Sequence, residues 1–276
     1  RSVRALMYNS HEERALINAV AKNDDVPGVV VGIGSEVPAC PEPQRFRQAT
    51  GIEGPVLIYI GRIDENKGCR QLFDYFQRYA RLSRRLTLVL IGNTVMPIPE
   101  HPSIRHLGYV TDQEKFDALA AADVLVMPSQ YESLSMVTLE AWALGRPVLA
   151  NGRCDVLCGQ CLRSNGGLYY ENYEEFSETL HAIASNSGLR DALGRHGRAY
   201  FNAHYTWPVI ERKYLDMLDR LDREDTHQTH GPEPLPGWFG RRRRDLPPGR
   251  QVVDQLPTGP AQRAGGTGAG RSASDA

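Results

Sequence analysis

Apolar residues in this chain fall into two alternating rhythms. Short runs at 56–60, 86–91, 124–127 and 148–150 are apolar at nearly every position. A run with no polar face belongs to a strand covered on both sides, as in a parallel sheet. Between the runs, apolar side chains recur at helical spacing. The interval 68–83 places Leu72, Tyr75, Phe76 and Tyr79 on one face, and 111–122 opens on the capping sequence Thr111-Asp112-Gln113-Glu114. A helix in the 130s is stopped by Gly145-Arg146-Pro147. Short strands are expected at 104–110 and 167–170, and helices at 173–184, 189–203 and 207–221. Strands alternating with helices make right-handed βαβ units, so the expected class is α/β, a Rossmann-like doubly wound parallel sheet.

The ends read differently. Residues 5–8 form a strand candidate, and Ser10-His11-Glu12-Glu13 fits a capping box before Ala15, Leu16, Ala19 and Val20 at helical spacing. A strand is expected at 29–34. Residues 35–54 are rich in proline and polar side chains, with room for a short helix near Phe46, so 27–54 reads as a hinge or linker and 55–222 as the sheet domain. Beyond about Arg223, Pro, Gly, Arg, Gln and Ser dominate and apolar periodicity ends. The segment 223–276 is expected to be a disordered tail, because it cannot bury enough surface to offset its ordering entropy.

Composition narrows the function classes. With 276 residues, 41% of them hydrophobic, the chain can build a sizeable core. A net charge of −1 gives no global field towards nucleic acid, so no nucleic-acid partner is expected. No apolar run is long enough to span a bilayer, and no secretory signal pattern is present. The start at Arg1 suggests a fragment or a processed product. Arginine outnumbers lysine 28 to 4, a bias expected of a GC-rich bacterial genome. Five cysteines without an export signal argue against a disulfide framework. The expected location is the cytoplasm, with peripheral contact at the inner face of the membrane left open.

Candidate chemistry gathers at strand ends, where open parallel sheets bind ligands. Gly61-Arg62-Ile63-Asp64-Glu65-Asn66-Lys67-Gly68 links a strand to a helix start. Helix N-termini attract anions, and Arg62 and Lys67 add two cations that could converge on a diphosphate. A solvated βα loop is the plain alternative. In Pro128-Ser129-Gln130-Tyr131-Glu132-Ser133-Leu134-Ser135-Met136-Val137-Thr138-Leu139-Glu140, two glutamates stand eight positions apart, one in the loop and one in the helix. A carboxylate suits vicinal hydroxyls, and the backbone of Ser133, Leu134, Ser135 and Met136 could turn N–H groups to a phosphate. A surface carboxylate and a helix-start carboxylate are the plain alternatives. Gly92-Asn93 and, further on, Tyr109-Val110 end the next two strands, where glycine permits close backbone approach; a plain turn and an edge strand would look the same.

Taken together and in this order, residues from about 26 to 221 resemble the C-terminal, donor-binding half of the family 4 (group 1) retaining glycosyltransferases of GT-B fold. The resemblance implies hexosyl transfer from a nucleotide-diphosphate sugar, such as a UDP- or GDP-sugar, with retention, no resident cofactor and no bound metal. It implies that Arg62 and Lys67 hold the donor diphosphate, that Glu132 faces the sugar and that Glu140 binds the ribose hydroxyls. Gly61, Gly92, Asn93, Tyr109, Val110, Ser133, Leu134, Ser135 and Met136 would complete the donor site. The family commonly has glycine, aromatic, glycine after the first glutamate; Ser133-Leu134-Ser135 departs from that and bears on loop shape and sugar preference. It further implies that residues 1–26 are the remnant of an N-terminal acceptor domain otherwise missing here, that the acceptor is unspecified, and that the fragment alone is inactive. Two other readings fit the fold: a sugar-nucleotide epimerase, and a non-catalytic nucleotide-sugar binding module working with a separate acceptor domain.

Other signals compete. Cys154-x3-Cys158-x2-Cys161 has the spacing of an iron–sulfur ligand set. It follows a late strand and lacks a nearby fourth ligand, so free, partly buried thiols are expected. Arg241-Arg242-Arg243-Arg244 after Trp238-Phe239 reads as a solvated tail, and His11 and His106 as structural or surface histidines.

Overall fold

A computed structural model describes residues 3–37, 40–82 and 85–225. Its centre is a six-stranded, all-parallel sheet of β3 (Val56–Ile60), β4 (Thr87–Ile91), β5 (Ile104–His106), β6 (Val124–Met127), β7 (Val148–Asn151) and β8 (Gly167–Tyr170), in the order β5-β4-β3-β6-β7-β8. A separate parallel pair joins β1 (Leu6–Tyr8) to β2 (Gly28–Val30). The helices are α1 (His11–Ala21), α2 (Pro43–Thr50), α3 (Cys69–Ala80), α4 (Asp112–Ala121), α5 (Met136–Ala143), α6 (Asp155–Ser164), α7 (Tyr173–Ser185), α8 (Ser187–His204) and α9 (Trp207–Asp225).

The central strands are apolar throughout because they are covered twice. Val56, Ile58 and Ile60 enter one core with Leu125, Met127, Val148 and Ala150, packed by α4, α5 and α6. Leu57 and Tyr59 enter the other with Val124, Val126 and Leu149, packed by α3 and α7. The sheet is therefore doubly wound, as its apolar runs predict.

Several boundaries differ from expectation. The strand expected over 29–34 stops at Val30, where its three-residue partner β1 runs out. The strand expected over 104–110 stops at His106; Leu107 donates a last ladder bond to the Leu90 carbonyl, and the chain then turns through Gly108, whose carbonyl accepts from Gly92 N at 2.8 Å. The helix expected from 68 starts at Cys69, after a single 3-10 turn, Glu65–Lys67. Ser10 does cap α1, accepting from Glu13 N at 3.1 Å, but the Glu13 carboxylate turns back to Asn9 N instead of completing the box on Ser10. The box at Thr111 and Glu114 is complete.

The stretch read as a hinge holds a docked helix. In α2, Phe46 is buried and Arg47 donates to the Ala121 carbonyl at 2.8 Å. Asp117 of α4, itself almost fully buried, accepts from Glu42 N at 2.6 Å and from Arg45 Nε at 2.5 Å. Residues 43–50 therefore belong to the sheet domain rather than to a free linker. At the other end α9 runs to Asp225, past the boundary placed at 223; the rest of the expected tail, including Arg241–Arg244, lies outside the described residues. No helix among the described residues is long and apolar enough to cross a membrane.

Candidate functional site

The strand order fixes where a ligand can approach. From β3 the chain steps outward to β4 and β5, then returns across to β6 on the other side of β3. The order reverses between β3 and β6, and in open parallel sheets the carboxyl edge at such a switch point is where a ligand crevice forms. The loops leaving β3 and β6 carry Arg62, Lys67 and Glu132.

The β3–α3 loop is built to be stiff. The parallel ladder continues past the strand ends: Gly61 N donates to Ile91 O at 2.9 Å, Ile63 N to Asn93 O at 2.8 Å, and Val95 N to Ile63 O at 3.0 Å. The Tyr59 hydroxyl donates to the Arg62 carbonyl at 2.7 Å. Asp64 accepts from Asn66 N at 2.7 Å and so caps the 3-10 turn. Two glycines let the segments meet. Gly92 has φ 128°, and a Cβ there would drive into the Gly61 carbonyl; Gly68 has φ 75°, and a Cβ there would drive into the Pro128 carbonyl on the facing loop. Only glycine meets both demands at low cost.

Charge bridges the crevice. Lys67 Nζ lies 2.8 Å from Glu132 Oε1, so the cation of one loop holds the carboxylate of the other. Arg62 is not part of that pair. Its side chain is 60% exposed and its guanidinium lies 2.8 Å from Asp64 Oδ2. Ser135 caps α5, its hydroxyl accepting from Thr138 N at 3.4 Å. Leu134 beneath it is buried, while Ser133 faces solvent and Met136 is half-buried. The first N–H groups of α5 therefore open beside Glu132.

Glu140 sits one turn into α5 and is 8% exposed. Its Oε1 accepts from Lys115 Nζ of α4 at 3.0 Å, whereas Oε2 is buried without a hydrogen-bond partner. Burial pushes its carboxyl above the ordinary carboxylate range, and the Lys115 ammonium opposes that rise. Around the turns after β4 and β5, Asn93 is exposed, Val110 half-buried, and Tyr109 82% exposed. His106 Nε2 lies 2.8 Å from the Gly92 carbonyl, a structural contact.

The candidate residues thus enter three ion pairs, Lys67–Glu132, Arg62–Asp64 and Lys115–Glu140. Lys115, Asp64 and Gly68 were not among the candidates. Asp64 and Gly68 lie inside the quoted loop, and their spacing around Lys67 is the signal that could have found them. Lys115 carries no such signal; along the helix it looks like an ordinary partner for Asp112 three residues before it.

The cysteine set resolves into free thiols of α6 and its N-cap: Cys154 and Cys161 are buried and Cys158 is half-buried. Burial pushes the Cys154 thiol up. Among the described residues no group of three or more His, Cys, Asp or Glu is arranged to hold a metal ion.

Comparison with known proteins follows the same segment. Residues 54–186 match the family model described as Glycosyl transferases group 1. A D-inositol 3-phosphate glycosyltransferase of Kribbella flavida is 30% identical over 220 residues, which cover 69% of this chain and 50% of that one. A mannosylfructose-phosphate synthase of Agrobacterium fabrum is 27% identical over 209 residues, covering 63% of this chain and 42% of that one. The chain spans about half the length of the curated relatives it matches. Among solved structures, Anabaena HepE in complex with UDP superposes with a TM-score of 0.69 at 15% identity, over 79% of this chain and 64% of that one. Sucrose-phosphate synthase from Thermosynechococcus elongatus does so with a TM-score of 0.66 at 18% identity, over 80% and 59%. At such identities the likeness speaks for the fold.

Proposed function

We propose, from the premise that the chain belongs to the group 1 glycosyl transferases, that its sheet domain binds the nucleotide-diphosphate sugar of a hexosyl transfer with retention. The observation that carries this reading is the Lys67–Glu132 bridge at the switch point, flanked by Arg62 and by the opening of α5. A diphosphate placed in the crevice would meet the ammonium of Lys67, the guanidinium of Arg62 and the first N–H groups of α5. HepE, a neighbour in fold, has been solved with UDP and with UDP-glucose, which supports a nucleotide-sugar ligand.

The chemistry follows from charge. When the bond between sugar and diphosphate breaks, negative charge builds on the leaving oxygen. Lys67 and Arg62 interact more strongly with that charge than with the intact donor, and this difference accelerates transfer. Glu132, oriented by Lys67, offers carboxylate lone pairs to sugar hydroxyls and fixes the sugar carbon relative to the leaving group. Glu140 accepts from the two ribose hydroxyls, and the turns at Gly92-Asn93 and Tyr109-Val110 border the base. Acceptor binding and exclusion of water are assigned to the other half of such enzymes. The β1–β2 pair and α1, whose Leu16 and Val20 face outward, are the part of this chain assigned to that half.

Calorimetry with UDP, GDP and their monophosphates tests the reading. A diphosphate should bind more tightly than its monophosphate, and Arg62→Ala and Lys67→Ala should each reduce that difference. Absence of any nucleoside diphosphate binding up to millimolar concentration would refute it.

A further inference from the structure

Glu140 is an unusual carboxylate for a structural role. It is buried, yet one oxygen, Oε2, has no hydrogen-bond partner. Buried acceptors are normally satisfied, so an open one needs a reason. The other oxygen is committed to Lys115 at 3.0 Å. Lys115 is itself only one-fifth exposed; its ammonium lies 4.2 Å from the centre of the Phe116 ring, and its alternative partner, the exposed Asp112, is farther away at 3.5 Å.

We propose that Lys115 is a positioning residue of the nucleotide site, holding the Glu140 carboxylate as an oriented anion so that Oε2 is presented to the ribose diol. This rests on the donor-site reading above and adds a residue which that reading does not contain. The geometry favours it in two ways. Lys115 lies in the opening turns of α4, directly after the turn that carries Tyr109 and Val110. It therefore ties the segment bordering the base to the helix that reads the ribose. Moreover, the ionised carboxylate is acceptor-only and charge-assisted towards the two hydroxyls, whereas a protonated carboxyl gives up acceptor capacity to its own proton, and burial works against ionisation here. The surroundings offer little else to counter it. Besides Lys115, the charged group that acts on Glu140 is Asp112 of the same helix, which disfavours the anion. From α8, which packs against α5, Arg198 reaches the Ala143 carbonyl at the opposite end of the helix. The neighbouring strands β6 and β7 present apolar residues from Val124 to Met127 and from Val148 to Ala150.

The sign is definite. Glu140 binds ribose as the anion, and its carboxyl is already raised by burial. Removing the cation raises it further, so binding that depends on the carboxylate is lost as pH falls towards the shifted value. The test measures UDP and GDP affinity against their 2′,3′-dideoxy counterparts at pH 6, 7 and 8. The ratio of the two affinities cancels titration of the phosphates. In the wild-type chain the ratio should favour the ribonucleotide and stay flat. In Lys115→Met it should fall as pH drops, approaching about tenfold per pH unit below the shifted carboxyl value. Lys115→Arg should restore the flat profile. In the nucleotide-free chain, carbon-detected NMR titration should show the Glu140 carboxyl moving upward in Lys115→Met. A flat, wild-type ratio in Lys115→Met, a loss equal at every pH, or an unmoved Glu140 titration would overturn the proposal. The wild-type chain separates the two levels: if it binds neither diphosphate, the donor-site reading has failed, whereas normal wild-type binding with an unresponsive Lys115→Met defeats only the role of Lys115.

Discussion

Replacing Lys67 with methionine keeps the aliphatic stem and removes the charge that bridges the crevice. In the free chain that charge is 2.8 Å from Glu132 Oε1, with the lysine side chain 36% exposed and the glutamate 14% exposed. Unit charges 4 Å apart interact by about 1 kcal/mol in water and by about 4 kcal/mol at the effective dielectric of a partly covered site. A lysine one-third exposed falls between these limits, and a charge-assisted hydrogen bond is worth about 1.5–3 kcal/mol. Lys67→Met should therefore weaken UDP or GDP binding by about 10- to 150-fold. The same variant should weaken UMP or GMP far less, because the monophosphate places less charge at Nζ. Glu132→Gln should act in the opposite sense on the diphosphate: it removes a carboxylate that competes for the ammonium and repels the ligand. A double-mutant cycle should then show coupling of about 0.5–3 kcal/mol, as expected for residues in contact. Added salt should narrow the gap between wild type and Lys67→Met, since part of the site is open to solvent. Isothermal calorimetry reads all of these quantities. A diphosphate affinity within twofold of wild type in Lys67→Met, or an equal loss for mono- and diphosphate, would refute the assignment of this cation to the diphosphate.

Three further outcomes follow from particular contacts. Glu140→Gln should cost more affinity for the ribonucleotide than for its 2′,3′-dideoxy analogue, checked by calorimetry; equal losses would remove the ribose role. Gly68→Ala should lower stability by roughly 3 kcal/mol, combining an alanine forced to positive φ with overlap on Pro128, and this should read as a fall in Tm of about 6–12 °C for a domain of this size. The Arg45 guanidinium holds the Asp117 carboxyl below the usual carboxylate range, so Asp117 stabilises the fold above that range and loses the effect as pH falls through its folded pKa. Asp117→Asn should thus lower Tm at pH 7, and the gap to wild type should close as pH falls below the ordinary carboxylate range.

The sheet was legible because burial on both faces leaves a mark at every position. Runs such as Val56–Ile60 and Val124–Met127 admit few other readings. The short helix expected near Phe46 is present as α2, but its docking was misjudged, because its stability comes from a distant partner. In α2 Phe46 alone is buried, and the helix is held by Asp117, 72 residues beyond Arg45; nothing within 35–54 announces that partner. The segment 104–110 failed in the opposite way. Ile104, Leu107 and Val110 look like strand residues, but the pairing with β4 ends at His106 and the chain is drawn away to meet Gly92.

The same distinction separates the parts of the site. Arg62, Lys67, Glu132 and Glu140 could be singled out because strand ends and helix starts are local events, and a motif quotes them in order. Their pairing could not be read this way, because it depends on how βα units stack. Lys67 reaches Glu132 across 65 positions and Lys115 reaches Glu140 across 25. Both contacts converge on one element. Glu132 precedes the Ser135 cap of α5 and Glu140 lies one turn inside the helix, so the eight-residue spacing places a carboxylate on either side of the helix start. A cation from the β3–α3 loop holds the first, and a cation from α4 holds the second. The spacing of the glutamates therefore ties both ion pairs to the position at which α5 begins.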